Sequence, residues 1–307
     1  MVCRRVNFTK ERLSAILLLF CVSVAIVHSD VIAESAKIGL ALCAASIIPA
    51  VFPFMIISDL IVAYSPLHKS GFLRRCFESL FGISAAGITA FISGIICGFP
   101  LGVKTAADLY LDGAISKEEA ERLIGFSNNT GPAFIIAGIG ASMRGSAREG
   151  ALLYFSMIFS AVLVGIIFRK RLKNNYTVEV IGKNTFSLTE SIQNAASNTI
   201  TVCSFIIFFS VVVGIISAAI KSTLALSFIL PFVEIGNAAS FLANAKIDST
   251  LSLALTALAA SFSGLSVHLQ ALSFLSGTGI RCGKYFVMKL FQGAFAFSFI
   301  LIFENIF

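Results

Sequence analysis

The sequence predicts an all-α polytopic membrane protein, secondary-transporter-like, with two inverted repeats that contain broken or re-entrant helices. Three observations predict this fold class: an apolar composition, clusters of basic residues between apolar segments, and glycines and prolines that interrupt those segments. Of the 307 residues, 57% are hydrophobic and 13% are charged, whereas ordinary soluble domains carry about 25% charged residues. The mean hydropathy is +0.92. The chain is therefore expected to lie within a lipid bilayer.

Nine apolar segments follow one another along the chain, and the longest exceed the roughly 20 residues that a spanning helix needs. They cover residues 13–27, 31–64, 82–111, 133–143, 151–168, 192–220, 224–245, 251–277 and 285–307. We expect the first to be an uncleaved transmembrane helix. Cleavage as a signal peptide is the alternative, because basic residues precede this segment and small residues follow it.

The basic residues lie between the apolar segments, which favours a role in membrane topology over binding to nucleic acid. The net charge is +7, and basic residues cluster before the first segment and again at 169–173. Basic loops mark the cytoplasmic side of a membrane protein. This rule places the N-terminus and the 169–190 stretch in the cytoplasm, and a loop at 30–37 on the other side.

The order of the segments predicts two membrane repeats. A polar half followed by an apolar, Phe-containing half occurs at 36–61 and again at 191–216. Farther along, 90–102 and 260–272 share a Ser-Gly pair and a break. Because the two copies begin on opposite sides of the membrane, the second is predicted to be inverted. The predicted division is an N-terminal cytoplasmic stub with the first transmembrane helix (1–35), repeat 1 (36–168), a cytoplasmic polar linker (169–190) and repeat 2 (191–307).

Two breaks in the apolar segments predict a site within the membrane. The first is "CGFPLG" at 97–102, inside a long apolar segment. An unsatisfied backbone group in lipid costs several kcal/mol, so irregular backbone is tolerated only where protein or a water-filled cavity surrounds it. We therefore expect a re-entrant hairpin over 82–111. A second hairpin is expected over 251–279, with its tip at 267–270, entering from the opposite side. Helix ends that meet near the midplane can hold an anion or a polar ring.

Five motifs carry a resemblance to a known family. They are "IPAVFPFMIISDLI", "SGIICGFPLGVKTAADL", "ERLIGFSNNTGPAFI", "LPFVEIGNAASFLA" and "SFSGLSVHLQALSFL". In this order they resemble the sporulation integral membrane protein YlbJ (SpoVV) family, within the wider nucleoside-recognition or Gate domain group. The resemblance implies transport during spore formation, with dipicolinic acid as the suggested substrate. It also implies a place in the cell membrane, and in the forespore membrane during sporulation.

Dipicolinate is a flat dianion, so a site for it is expected to supply cations or hydrogen-bond donors. Lys104 and His268 are the predicted cationic groups. Alternatively, Lys104 pairs with Asp108 four residues later or extends to a helix end, and 127–129 form a helix cap. His268 is expected to be a polar lining group, with no metal site. The predicted substrate-binding residues are Ser93, Gly98, Pro100, Gly102, Lys104, Thr105, Asp108, Ser127, Asn128, Asn129, Ser263, Ser266, His268 and Gln270.

The sequence favours transport over catalysis. It contains no evident nucleophile and base pair, metal-ligand spacing or phosphate-binding loop, so no enzyme activity and no cofactor are expected. The predicted function is alternating access of a small polar or anionic metabolite at a midplane site. The expected partners are this substrate and the lipid bilayer, without nucleic acid, and a homo-oligomer is left open. Two alternatives remain: a non-transporting membrane scaffold in spore assembly, and a nucleoside or ion transporter of the Gate group.

Overall fold

The computed structural model describes residues 23, 26–64, 71–170 and 187–306, and every regular element in these ranges is a helix. Their bounds in chain order are α1 Ser29–Leu42, α2 Ile48–Tyr64, α3 Gly71–Phe81, α4 Ala85–Ile96, α5 Leu101–Leu111, α6 Lys117–Ser127, α7 Ala133–Met143, α8 Ala147–Ile167, α9 Leu188–Ala219, α10 Thr223–Val233, α11 Ile235–Asn244, α12 Ser249–Phe262, α13 Gly264–Leu275 and α14 Gly283–Ile306. A π-helical turn, Cys43–Ile47, joins α1 to α2, and α7 is itself π-helical.

The described ranges contain five helices that are long and apolar enough to cross a membrane. A sixth results if α3 and α4, which are bent by 82°, form one span. The five are Ser29–Ile57, Ala147–Ile167, Leu188–Ala219, Ser249–Leu275 and Gly283–Glu304. This confirms the all-α polytopic membrane fold. Most of the first apolar segment (13–27) and most of the 169–190 linker lie outside the described residues.

Residues 30–37 are helical, so the loop predicted there is wrong. They belong to α1, which continues through the π-helical turn into α2. Asp30 lies in the first turn of α1, where a carboxylate is favourable beside the positive end of the helix dipole. The residues that the topology rule placed in a loop therefore form the start of a helix.

The first predicted hairpin is present. Helices α4 and α5 pack against each other and are joined by residues 97–100. Two glycines allow the close approach, since a Cβ on Gly94 would lie 3.2 Å from the Cα of Gly102. We refer to α4 and α5 with their connecting residues as hairpin 1.

The hairpin predicted over 251–279 is wrong. Helices α12 and α13 lie within a single candidate span, Ser249–Leu275, and residues 267–270 fall inside α13. Ser263 and Gly264 interrupt that span with φ angles of 83° and 62°. Two left-handed residues break the helical hydrogen bonds here without returning the chain to its starting side. A second hairpin instead comprises α10 and α11, which pack against each other on either side of Glu234. We refer to it as hairpin 2.

The two hairpins open at opposite ends of the helix bundle. At the open end of hairpin 1, Arg122 donates hydrogen bonds to the Gly82 carbonyl at 2.9 Å and to the Lys170 carbonyl at 3.3 Å. Lys170 lies just beyond the end of α8, so hairpin 1 opens at that end of the bundle. Beyond the open end of hairpin 2, Ser252 donates to the Leu242 carbonyl at 2.7 Å and accepts from Arg144 at 3.0 Å, just before α8 begins. Inverted repeats would produce this arrangement, although the repeat boundaries remain a prediction.

The tip of hairpin 1 packs against a second break in the backbone, between α6 and α7. A Cβ on Gly94 or on Gly102 would overlap the Ser127 carbonyl oxygen. At the tip itself, Gly98 has φ +85°, and its Cβ would lie 2.8 Å from the Cα of Gly131. Side chains at these glycines would separate the two interrupted segments.

The tip of hairpin 2 packs in the same manner against the break between α12 and α13. A Cβ on Gly264 would lie 3.1 Å from the carbonyl oxygen of Val233 and 3.3 Å from the amide nitrogen of Glu234. The two pairs of breaks are joined by Thr130, whose hydroxyl donates to the Ala260 carbonyl at 2.7 Å. All four interruptions are therefore linked inside the bundle.

We predict that the two hairpins open on opposite sides of the membrane. Single cysteines at Asp112, beside the open end of hairpin 1, and at Lys246, beside that of hairpin 2, are both exposed positions. An impermeant maleimide should modify the Asp112→Cys protein only from the cytoplasmic side and the Lys246→Cys protein only from the other side. Detergent-solubilised samples, in which both must react, are the control. Labelling of both from one side would refute the topology.

We predict that Gly94→Ala destabilises the protein, because the new methyl group overlaps backbone rather than a movable side chain. Overpacking of this kind typically costs about 1–3 kcal/mol, and should lower the thermal unfolding midpoint of the detergent-purified protein. Gly283→Ala is the matched control, since a Cβ there meets nothing within 4 Å. An equal midpoint for Gly94→Ala and the original protein would contradict the close packing.

Candidate functional site

The break between α6 and α7 is held by a buried lysine from the last span. Lys289 of α14 is 0% exposed, and its ammonium donates to the Asn128 carbonyl at 2.7 Å and to Gln292 Oε1 at 2.8 Å. The Gln292 amide in turn donates to Asn129 Oδ1 at 2.8 Å. The lysine amine thus lies at the C-terminal end of α6, where carbonyl groups lack helical partners and a positive charge is favourable.

The same break is connected to α13 through a tyrosine. The Asn128 side-chain amide donates to the Tyr285 hydroxyl at 2.8 Å, and this hydroxyl lies 2.8 Å from His268 Nδ1. Tyr285 is 0% exposed and His268 is 1% exposed. Residues from the predicted first and second halves of the chain therefore form one hydrogen-bonded chain, which crosses the bundle at the level of the breaks.

Several buried polar atoms at and around the breaks have no hydrogen-bond partner within the part of the chain that the structure describes. Such atoms are uncommon, since most buried polar groups in proteins are hydrogen-bonded. They include Ser93 Oγ, Ser127 Oγ, Asn128 Oδ1, Ser261 Oγ, Ser263 Oγ, His268 Nε2 and Gln270 Oε1. We call these residues, together with Asn129, Tyr285, Lys289 and Gln292, the polar layer. It offers hydroxyl, amide, imidazole and ammonium groups for a polar ligand.

Most of the predicted site residues are buried at or near the breaks. Eight are at most 1% exposed: Ser93, Ser127, Asn128, Asn129, Ser263, Ser266, His268 and Gln270. Gly98, Pro100, Gly102 and Thr105 are buried on hairpin 1. Ser266 accepts a hydrogen bond from Gln270 at 3.3 Å, so these two polar side chains are adjacent on α13.

Lys104 and Asp108 stand apart from the other predicted residues because they are accessible and pair with each other. The Lys104 ammonium lies 3.2 Å from Asp108 Oδ2, and the two side chains are 28% and 53% exposed. This is the pairing that their i,i+4 spacing allows. Their predicted role in substrate binding remains a prediction.

Four residues of the polar layer were not predicted from the sequence: Ser261, Tyr285, Lys289 and Gln292. The last three recur every three or four residues along one side of α14, within an apolar segment. An ionisable residue inside a membrane span is costly and by default functional, so Lys289 was the available signal. Among the described residues, no group of three or more His, Cys, Asp or Glu side chains could hold a metal ion.

Comparisons with known proteins show what the chain is similar to. It is 25% identical over 328 aligned positions to the sporulation integral membrane protein YlbJ of Bacillus subtilis (strain 168), covering 92% of this chain and 80% of that protein. No family model matches the chain, and no solved structure matches it. Membership of the wider Gate group stays a prediction. The alignment spans nearly the whole chain, and the apolar helices agree with it: the chain is a multi-pass membrane protein that is similar to this sporulation integral membrane protein.

Proposed function

We propose that this protein transports a small anionic metabolite across a membrane during spore formation, by alternating access at the polar layer. The substrate that the family resemblance suggests is dipicolinate. One observation carries the proposal: hairpins that open at opposite ends of the bundle pack on helix breaks that carry a buried lysine contact and several buried polar atoms without hydrogen-bond partners among the described residues. The role in sporulation is supported by the similarity to a sporulation integral membrane protein.

The charge of Lys289 favours an anionic ligand. Among the described residues, no Asp or Glu lies within 4.0 Å of its ammonium group. A buried charge without a counter-charge is costly, and hydrogen bonds to Asn128 and Gln292 offset only part of that cost. A carboxylate bound beside Lys289 would supply the missing counter-charge.

The breaks supply further donors for such an anion. Serine hydroxyls at 93, 127, 261 and 263 are buried and unpaired, and each can donate one hydrogen bond. Helices α5 and α13 begin at the breaks, so their N-terminal amides add partial positive charge there. A flat dianion with two carboxylates matches a layer that combines one cation with several neutral donors.

The hairpins provide a physical means of alternating access. Each covers the polar layer from one end of the bundle, and each rests on an interrupted helix through glycine contacts. Movement of one hairpin would open the layer to one side while the other hairpin keeps the opposite side closed. The proposal involves no covalent chemistry.

We predict that the purified protein, reconstituted in lipid vesicles, carries labelled dipicolinate across the membrane with saturable kinetics. Protein-free vesicles and a panel of unlabelled nucleosides serve as controls, and the nucleosides should compete poorly because they lack negative charge. Movement of nucleosides but not dipicolinate would refute the substrate. Movement of no tested solute would favour the non-transporting scaffold.

We predict that Lys289→Gln lowers dipicolinate transport by roughly 10- to 100-fold, because a hydrogen bond to a charged group contributes about 1.5–3 kcal/mol. Glutamine can still donate to the Asn128 carbonyl, so the protein should remain in the membrane at an unchanged level. Transport rates in vesicles with matched protein content provide the measurement.

Lys104→Gln is the matched control, because Lys104 is partly exposed and already paired with Asp108. We expect this variant to retain most of its transport. Normal transport by Lys289→Gln together with loss in Lys104→Gln would instead assign the anion to hairpin 1, as the sequence alone suggested.

A further inference from the structure

A buried carboxylate forms the tip of hairpin 2. Glu234 is 3% exposed and caps the N-terminus of α11. Its Oε1 accepts from the Gly236 amide at 3.0 Å, and its Oε2 accepts from the Asn237 backbone amide at 2.6 Å and side-chain amide at 2.8 Å. Three hydrogen bonds occupy most of the roughly four acceptor positions of a carboxylate, which leaves room for one proton.

The tip of hairpin 2 adjoins a large cavity. A volume of about 840 Å³ lies between α1, α9, hairpin 2 and the end of α7. Gly236 and Asn237 line it, and a Cβ on Gly236 would lie 3.3 Å from Glu234 Oε2. Residues 244–246 and 142–143 also line the cavity, so it reaches the end of the bundle where hairpin 2 opens. A solute that enters there comes close to the carboxylate.

The charged and titratable groups around Glu234 do not neutralise it. Among the described residues, no Lys or Arg lies within 4.0 Å of its carboxylate. The Cys43 thiol, on the π-helical turn, interacts with it electrostatically. Ser210 of α9 accepts a hydrogen bond from the Asn237 side chain at 2.8 Å. At the α12–α13 break, the neighbour of the Glu234 backbone is Gly264. Lys246 lines the cavity but belongs to its exposed end.

An ionised Glu234 would oppose the entry of an anion. Like charges repel strongly where the dielectric constant is low, and an ionised carboxylate without a cation is itself costly when buried. A proton removes both costs. A metal cation fits less well, because the carboxylate contacts three N–H donors, whose hydrogens repel a cation, rather than oxygen ligands.

We propose that Glu234 binds a proton that is co-transported with the anion entering through this cavity. The inference rests on the proposed function, since it requires an anionic substrate. It assigns the coupling step to hairpin 2 and the binding of the anion to Lys289. Protonation at the tip admits the anion, and release of the proton on the opposite side restores the carboxylate.

The test uses reconstituted vesicles and compares proton-driven accumulation of labelled dipicolinate, added outside, with simple exchange of labelled for unlabelled dipicolinate. In the original protein, an inward proton gradient of about one pH unit should drive up to about tenfold accumulation, if one proton accompanies each anion. Dipicolinate uptake should also acidify the lumen, as measured with an enclosed pH dye. Glu234→Gln should abolish accumulation and acidification while exchange of labelled for unlabelled dipicolinate continues.

Asp248→Asn is the matched control, because Asp248 also caps a helix, accepting from the Leu251 amide at 2.9 Å, but is exposed. It should keep proton-driven accumulation. Accumulation by Glu234→Gln equal to that of the original protein would overturn the proposal.

The original protein provides outcomes that do not depend on any variant folding. Transport without lumenal acidification, transport driven by sodium instead, or a proton gradient acting with the opposite sign would each overturn the assignment of Glu234. Absence of dipicolinate transport in the original protein would overturn the proposed function instead, so the two failures are distinguishable.

Discussion

The structure depends on one constraint: backbone groups exposed by a break in a helix must find partners inside the protein, because lipid offers none. Four interrupted segments meet this constraint by packing on one another in pairs. Gly94 and Gly102 allow the Ser127 carbonyl to approach hairpin 1, and Gly264 allows α13 to approach hairpin 2. The Thr130 hydroxyl then links the two pairs through the Ala260 carbonyl. Polar side chains are concentrated where the backbone itself is irregular.

Lys289 joins this structural requirement to the proposed chemistry. Its ammonium satisfies the Asn128 carbonyl, and the same positive charge is what an anion would recognise. Gln292 and Tyr285 add partners on either side, to Asn129 and Asn128. One face of α14 therefore stabilises the break between α6 and α7 and shapes the electrostatics of the polar layer. Glu234 is comparable at the tip of hairpin 2: it caps the N-terminus of α11 and is the proposed site of proton binding.

Features set by local sequence, such as the membrane fold and hairpin 1, could be predicted. Features set by contacts between distant helices, such as hairpin 2 and the role of Lys289, could not. Composition was sufficient for the membrane fold, and the glycines and proline at 97–102 located hairpin 1. The break after α12 lies at the Ser263-Gly264 pair itself, whereas the sequence placed a hairpin tip at 267–270. Whether the chain reverses there depends on the packing of α13, which the local sequence does not specify. Hairpin 2 was missed because residues 224–245 read as one apolar segment despite Pro231, Glu234 and Gly236 in its middle. Lys289 was missed because α14 resembles a lipid-facing span until its partners on α6 are known.

The hydrogen bond between Lys289 and Asn128 also bears on how the protein is made. Its two residues are 161 positions apart, so the carbonyl emerges from the ribosome long before the ammonium. When α14 enters the membrane, the acceptors that make its charge tolerable are already present in earlier helices. Insertion of the last helix is then coupled to correct assembly of the preceding ones, and a chain whose first half has misassembled would present α14 as a poor membrane segment.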